Sequence, residues 1–158
     1  MQQILLQQYR LVLSARSALF DYCKTLKPED SLKPLPAFNN ESILSQLIHV
    51  ANCYLFWLSK TAMQQLRPFF NNEEHQDIPS VIQVFDKVDI MMHEFLHYFS
   101  GSLEQQRLIT RPDGRQLTRS PFEIFTHVIT HEFHHKGQVV SMSRQLGYTP
   151  VDTDVVRE

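Results

Sequence analysis

Near the start of the chain, Leu5, Tyr9, Val12, Leu19, Tyr22 and Leu26 recur at three- and four-residue steps. That spacing predicts an amphipathic helix from about Gln2 to Leu26. Lys27 to Asn40 interrupts it with Pro28, Pro34 and Pro36, residues that lack the amide donor a helix interior needs. A second helix is predicted from Asn39 or Asn40, both suited to an N-cap, to just before Pro68. It carries two apolar stripes. Ile43, Leu44, Leu47, Ile48, Ala51, Leu55 and Leu58 form one, while Cys53, Phe56 and Trp57 lie on the far side with His49 among them. A helix apolar on two sides must be covered on two sides. The bundle supplies one cover, and a second copy of the chain is the expected other. A third helix, from about Pro79 to Ser100, buries Val81, Ile82, Phe85, Val88, Met92, Phe95 and Phe99.

The stretch from 107 to 119 reads differently. Leu108, Ile109 and Thr110 suit a strand, Pro112-Asp113-Gly114 signals a turn, and Gln116-Leu117-Thr118 can return as a second strand. The last helix has a clear start. Ser120 at N-cap, Pro121 at the first position and Glu123 at N3 make a capping box. It runs to Leu146, and Gly147 suits the residue past its end. The expected fold is all-α: one four-helix-bundle domain over residues 1–158, with a short hairpin-like insertion before the last helix.

Composition sharpens this picture at a few points. Hydrophobic residues make up 42% of the 158, enough for a core that needs no disulfide or metal merely to fold. A net charge of -2 gives no large basic footprint, so nucleic acid is not an expected partner. No apolar run is long enough to span a membrane, and the opening residues lack the order of a secretory signal. Cys23 and Cys53 are far apart and form no CxxC pair, so a reducing, cytoplasmic setting is expected.

The chemistry lies in the eight histidines. The last helix holds His127, His131, His134 and His135. Residues four apart share a helix face, so the imidazoles of His131 and His135 can converge on one ion. Both fall within an apolar stripe made by Ile124, Val128, Val139, Met142 and Leu146, where an unpartnered imidazole is costly. Core histidines bonded to nearby carbonyls are the alternative. A metal needs more ligands, and His49 on the second helix is the best third. Cys53, one turn further on, is a possible fourth, although packing as a small apolar residue suits it better. His93 and His97 are read as a solvated face and His75 as an exposed loop residue. His131-Glu132-Phe133-His134-His135 also spells HExxH, the zinc-peptidase signature. No glycine-rich continuation or downstream ligand on a matching helix follows it, so that reading is set aside. Gly137 points to a close helix approach or to ligand space. Gln138 is read either as a hydrogen-bond partner of a ligand histidine or as a solvent-facing residue.

ESILSQLIHVANCYLFWL and HVITHEFHHKGQVVSMSRQLGYTPVDTD resemble the second and last helices of the DinB/YfiT superfamily. PDGRQLT resembles the turn before that last helix. The resemblance covers the order of elements across the chain. It implies an up-down-down-up bundle with a divalent metal, zinc or nickel, on His49, His131 and His135. It also implies a homodimer, and a metal-dependent enzyme acting on a small molecule, by transfer of a low-molecular-weight thiol or by hydrolysis. A non-catalytic stress-response metal protein is the other reading. Lys136 stands where arginine is common in that superfamily. With a reference imidazole pKa of ~6.5, the metal is expected to dissociate below about pH 5.5.

Overall fold

A computed structural model describes residues 1–157. Its helices are α1 (Gln2–Cys23), the short α2 (Pro28–Leu32), α3 (Ile43–Tyr54), α4 (Ile78–Tyr98) and α5 (Pro121–Gln145). A two-stranded sheet, β1 (Arg107–Thr110) and β2 (Gln116–Arg119), lies between α4 and α5. The long helices α1, α3, α4 and α5 form the four-helix bundle, and their apolar faces meet in one core.

Side-chain pairs fix the helix directions. Gln2 bonds the Leu96 carbonyl, Tyr9 bonds Asp89, and Phe20 packs on Phe85, so α1 and α4 run antiparallel. Arg16 meets Glu132 and Tyr22 meets Ser143, so α1 and α5 run parallel. His49 reaches His131 and His135 while Trp57 reaches His127, so α3 opposes α5. The order is up, down, down, up, and the parallel pair α3 and α4 requires a crossover. The segment 63–77 provides it. The Asn52 amide pins it midway, donating to the Phe70 carbonyl and accepting from the Phe70 amide, both at 2.9 Å.

Local chemistry explains the helix starts. The Ser120 hydroxyl accepts from the Glu123 amide and the Glu123 carboxylate accepts from the Ser120 amide, completing the box read from the sequence. At α3 the cap is Ser42, boxed with Ser45. Asn39 and Asn40 do not cap it. Both adopt left-handed backbone, φ 55° and 60°, and turn the chain toward α3. The end of α3 also departs from the expected pattern. From Leu55 to Ala62 it widens into a π-helical stretch, closed by the Met63 amide on the Leu58 carbonyl, and the helix stops there instead of continuing toward Pro68.

The hairpin pairs Arg107 with Arg119 through Thr110 with Gln116, and Gly114 takes φ 83° at its turn. That positive φ carries no steric cost for glycine, whereas most residues with a Cβ avoid it. Ile109 points inward. Arg111 lies over both Phe56 and Trp57, 5.2 and 5.6 Å from the ring centres. The second apolar stripe of α3 is therefore half-buried, with the chain's own hairpin over part of it. No helix among the described residues is long and apolar enough to cross a membrane.

Candidate metal centre

Three imidazoles meet between α3 and α5. The Nε2 atoms of His49 and His131 are 3.3 Å apart. Ring centres are 4.7 Å apart for His49 and His135, and 4.3 Å for His131 and His135. One donor atom from each residue lies within 4.8 Å of the others. A tetrahedral ion with bonds of ~2.05 Å spaces neighbouring nitrogens by about 3.3 Å, so the measured separation suits a zinc-sized ion. His135 is buried and its Nδ1 has no hydrogen-bond partner. In a core where buried polar atoms are normally satisfied, the donor set fits a metal. His131 is half-buried and His49 is exposed, so the centre opens to solvent on the α3 side.

The surroundings favour the neutral form of His131 and His135. The His131 pKa falls to about 4, through burial first and then through the neighbouring His135 and His49. Burial also lowers His135 and His127. A depressed value shifts proton competition for a metal to lower pH than a free imidazole would give. Linkage gives the metal-free protein a matching pH dependence. Between 6.5 and about 4 the unfolded chain binds a proton at His131 that the folded chain does not. Stability is therefore full above 6.5 and declines as pH falls through that window. Urea unfolding of chelated protein across the window should show this slope, and His131→Ala should reduce it, leaving the smaller part that comes from His135 and His127.

Glu132 sits between two of these histidines in sequence but faces the other way. It is buried, and Arg16 grips it with Nε on Oε1 at 2.7 Å and with its NH2 group on Oε2 at 2.9 Å. Tyr54 donates to Oε2 at 2.5 Å. Asp89 takes the remaining side of Arg16, also at 2.5 Å, and accepts from Tyr9 at 2.6 Å. The guanidinium lies 4.6 Å from the Phe85 ring centre. A carboxylate held by three donors inside the bundle is not free to act as a base toward the histidines. The HExxH spelling here serves the core.

The other residues singled out from the sequence divide clearly. Lys136 is buried and donates to the Thr153 carbonyl at 2.7 Å and to Asp154 at 3.1 Å, so it fastens the tail after α5. Lys136→Met should strip that latch and leave a buried carbonyl unpaired, at a cost of about 1–3 kcal/mol. Faster proteolysis or amide exchange confined to residues 149–157 would register it. The Gln138 amide lies 3.3 Å from His134 Nε2, and His134 is exposed and outside the triad. A Cβ added at Gly137 would meet nothing within 4 Å, so no close helix approach requires glycine there. His93 and His97 are exposed on α4, while His75 is half-buried in the crossover.

Sequence reasoning passed over Arg16. It continues the stripe of Leu5, Tyr9, Val12 and Leu19 in phase, and an arginine in phase with a buried stripe is the signal that would have found its carboxylate partner.

Beside the centre, a cleft of about 250 Å³ is lined by Trp57, Leu117, Arg119, Glu123, Ile124 and His127. Clefts of larger volume lie elsewhere, such as one of about 390 Å³ between α1 and α5 at Leu11 and Phe133, and none of them is lined by the triad.

A family model described as DinB family matches residues 1–158. No curated protein matches the chain.

Proposed function

We propose that this chain, which belongs to the DinB family, holds a divalent ion on His49, His131 and His135 and is a metal-dependent enzyme acting on a small molecule. The observation that carries the reading is the 3.3 Å approach of two imidazole nitrogens from different helices, with His135 completing the triangle. Zinc or nickel is the proposed ion, since both suit imidazole donors. When bound, such an ion supplies a Lewis acid that lowers the pKa of a thiol or water brought to it.

The chain's own residues set what can approach. The cleft beside His127 offers Trp57 and Leu117 as apolar walls, with Arg119 and Glu123, 4.0 Å apart, as a charged pair at its edge. That combination suits a low-molecular-weight thiol and a small electrophile. In the proposed transfer the thiol loses its proton to solvent, its sulfur takes the electrophile's carbon, and the leaving group departs with the bonding pair. The hairpin supplies Leu117 and Arg119 and closes one side of the cleft, which limits water there.

The test is elemental analysis of protein purified without a metal-affinity tag, followed by a screen of thiols against electrophiles. One equivalent of metal, with thiol consumption that stops on chelation while the helical circular dichroism persists, supports the enzyme. Collapse on chelation would identify a structural ion and sink it. The single tryptophan is 4.9 Å from His127, so its emission should change during metal titration.

A homodimer is proposed as the working form. Its support lies on the crossover side, where Leu66 is 96% exposed, Ile90 60% and Phe69 51%. Large apolar side chains left in water favour association when a partner covers them. Light scattering at micromolar concentration that gives the monomer mass, 18.6 kDa, would reject it.

A further inference from the structure

The histidine triad accounts for only part of the donor row along the α3–α5 seam. Because these helices run antiparallel, the next pair comes one turn beyond His49 and one turn before His131. That pair is Cys53 and His127. One donor atom each from Cys53, His127 and His131 lies within 4.8 Å of the others. Cys53 and His131 are half-buried. The His127 and His131 rings stack at 5.8 Å, Trp57 packs against one side of His127 at 4.9 Å, and His127 keeps an exposed edge through which an ion can enter.

We propose that Cys53, His127 and His131 form a second metal position, selective for thiophilic ions and alternative to the three-histidine one. His131 belongs to both donor sets, and a neutral imidazole has a single free lone pair for a metal. One ring therefore serves one ion at a time. The two positions differ in softness. Three imidazoles suit zinc or nickel, whereas a thiolate with two imidazoles favours monovalent copper or cadmium. Binding displaces the Cys53 thiol proton to solvent. An ion arriving there takes His131 from the triad and expels the resident ion. The seam thus couples exposure to a thiophilic metal with loss of the triad's ion. This proposal shares a residue with the reading above but does not depend on catalysis.

The probe is cadmium ion added to the metal-free full-length chain, read by the ultraviolet thiolate-to-cadmium charge-transfer band. The expected result is a band that saturates at one cadmium per chain and disappears in Cys53→Ala. His49→Ala and His135→Ala should keep it, since they remove donors of the other position only. His127→Ala should weaken cadmium binding by more than about tenfold, since even an outer-shell partner is worth that much to a metal site. In zinc-loaded protein, cadmium should release one zinc for each cadmium bound. A band that survives Cys53→Ala, or one that His49→Ala abolishes, would overturn the proposal. So would the absence of any band in the wild type. Cys53→Ser is made in parallel, with circular dichroism to confirm that each variant is folded. Cadmium binding without zinc binding would sink the three-histidine reading alone, and zinc binding without a thiolate band would sink this one alone.

Discussion

Arg16→Met should lower the free energy of unfolding by about 3–5 kcal/mol, the usual cost of leaving a buried ionic partner alone. The variant strands Glu132, which is 7% exposed and keeps only the Tyr54 hydroxyl. It also removes the link from Glu132 to Asp89 and Tyr9. Domains of this size are typically stable by about 5–15 kcal/mol, so one substitution consumes a large share. The double variant Arg16→Met/Glu132→Leu separates the cost of a stranded charge from the worth of the pair. Buried pairs replaced by apolar residues of similar volume are often neutral, and Asp89, with 29% of its side chain exposed, can turn to water. The double variant should therefore be more stable than Arg16→Met alone by about 2 kcal/mol or more. Urea unfolding with unchanged slope measures both. If the double variant loses at least the sum of the single losses, the charges contribute net stability and the account is wrong.

His131→Ala should abolish stoichiometric metal binding for every ion tried. It is the one residue present in both donor sets, so no alternative position survives its loss. His49→Ala and His135→Ala should each lose zinc or nickel. His93→Ala, His97→Ala and His134→Ala should leave metal content unchanged, because all three are exposed and outside both sets. Thermal unfolding supplies a second readout. A ligand that binds only the folded state stabilises it by about 2.7 kcal/mol at a hundred times Kd. Added zinc should thus raise the melting temperature of the wild type and leave that of His131→Ala unmoved. Full zinc content in His131→Ala would refute the triad.

The bundle, the hairpin and the His131–His135 pair were legible because each leaves a periodic or positional mark, whereas His49 followed from the family resemblance and from the need for a ligand on another helix. Ser120-Pro121-Phe122-Glu123 announces a helix start through its hydrogen bonds, and Pro112-Asp113-Gly114 announces a turn through φ. The π-helical stretch of α3 leaves no such mark. A change in backbone hydrogen-bond register alters where side chains point without altering which residues are apolar. That is why Phe56 and Trp57 read as a fully open face, when the Arg111 guanidinium lies over both and leaves them half-buried. The α3 cap was misplaced because Asn39, Asn40 and Ser42 all satisfy the same preference. Only the backbone, left-handed at both asparagines, selects the serine. Glu132 misled through its neighbours. A motif fixes spacing along the chain, whereas the partner across the bundle decides whether a carboxylate faces a metal or an arginine.

The Arg16–Glu132 pair also imposes an order on biosynthesis. Its members are 116 residues apart, so at ~5–20 residues per second the first helix leaves the ribosome on the order of ten seconds before its counter-charge exists. Until α5 emerges, the cation on the apolar face of α1 has only Asp89 of α4, 29% of whose side chain is exposed, to pair with. A nascent chain carrying only the first three long helices therefore lacks the bidentate half of the Arg16 pairing. Translation that stops short of Glu132 leaves a product that must bury Arg16 against Asp89 alone, with two of its guanidinium donors unpaired by a carboxylate.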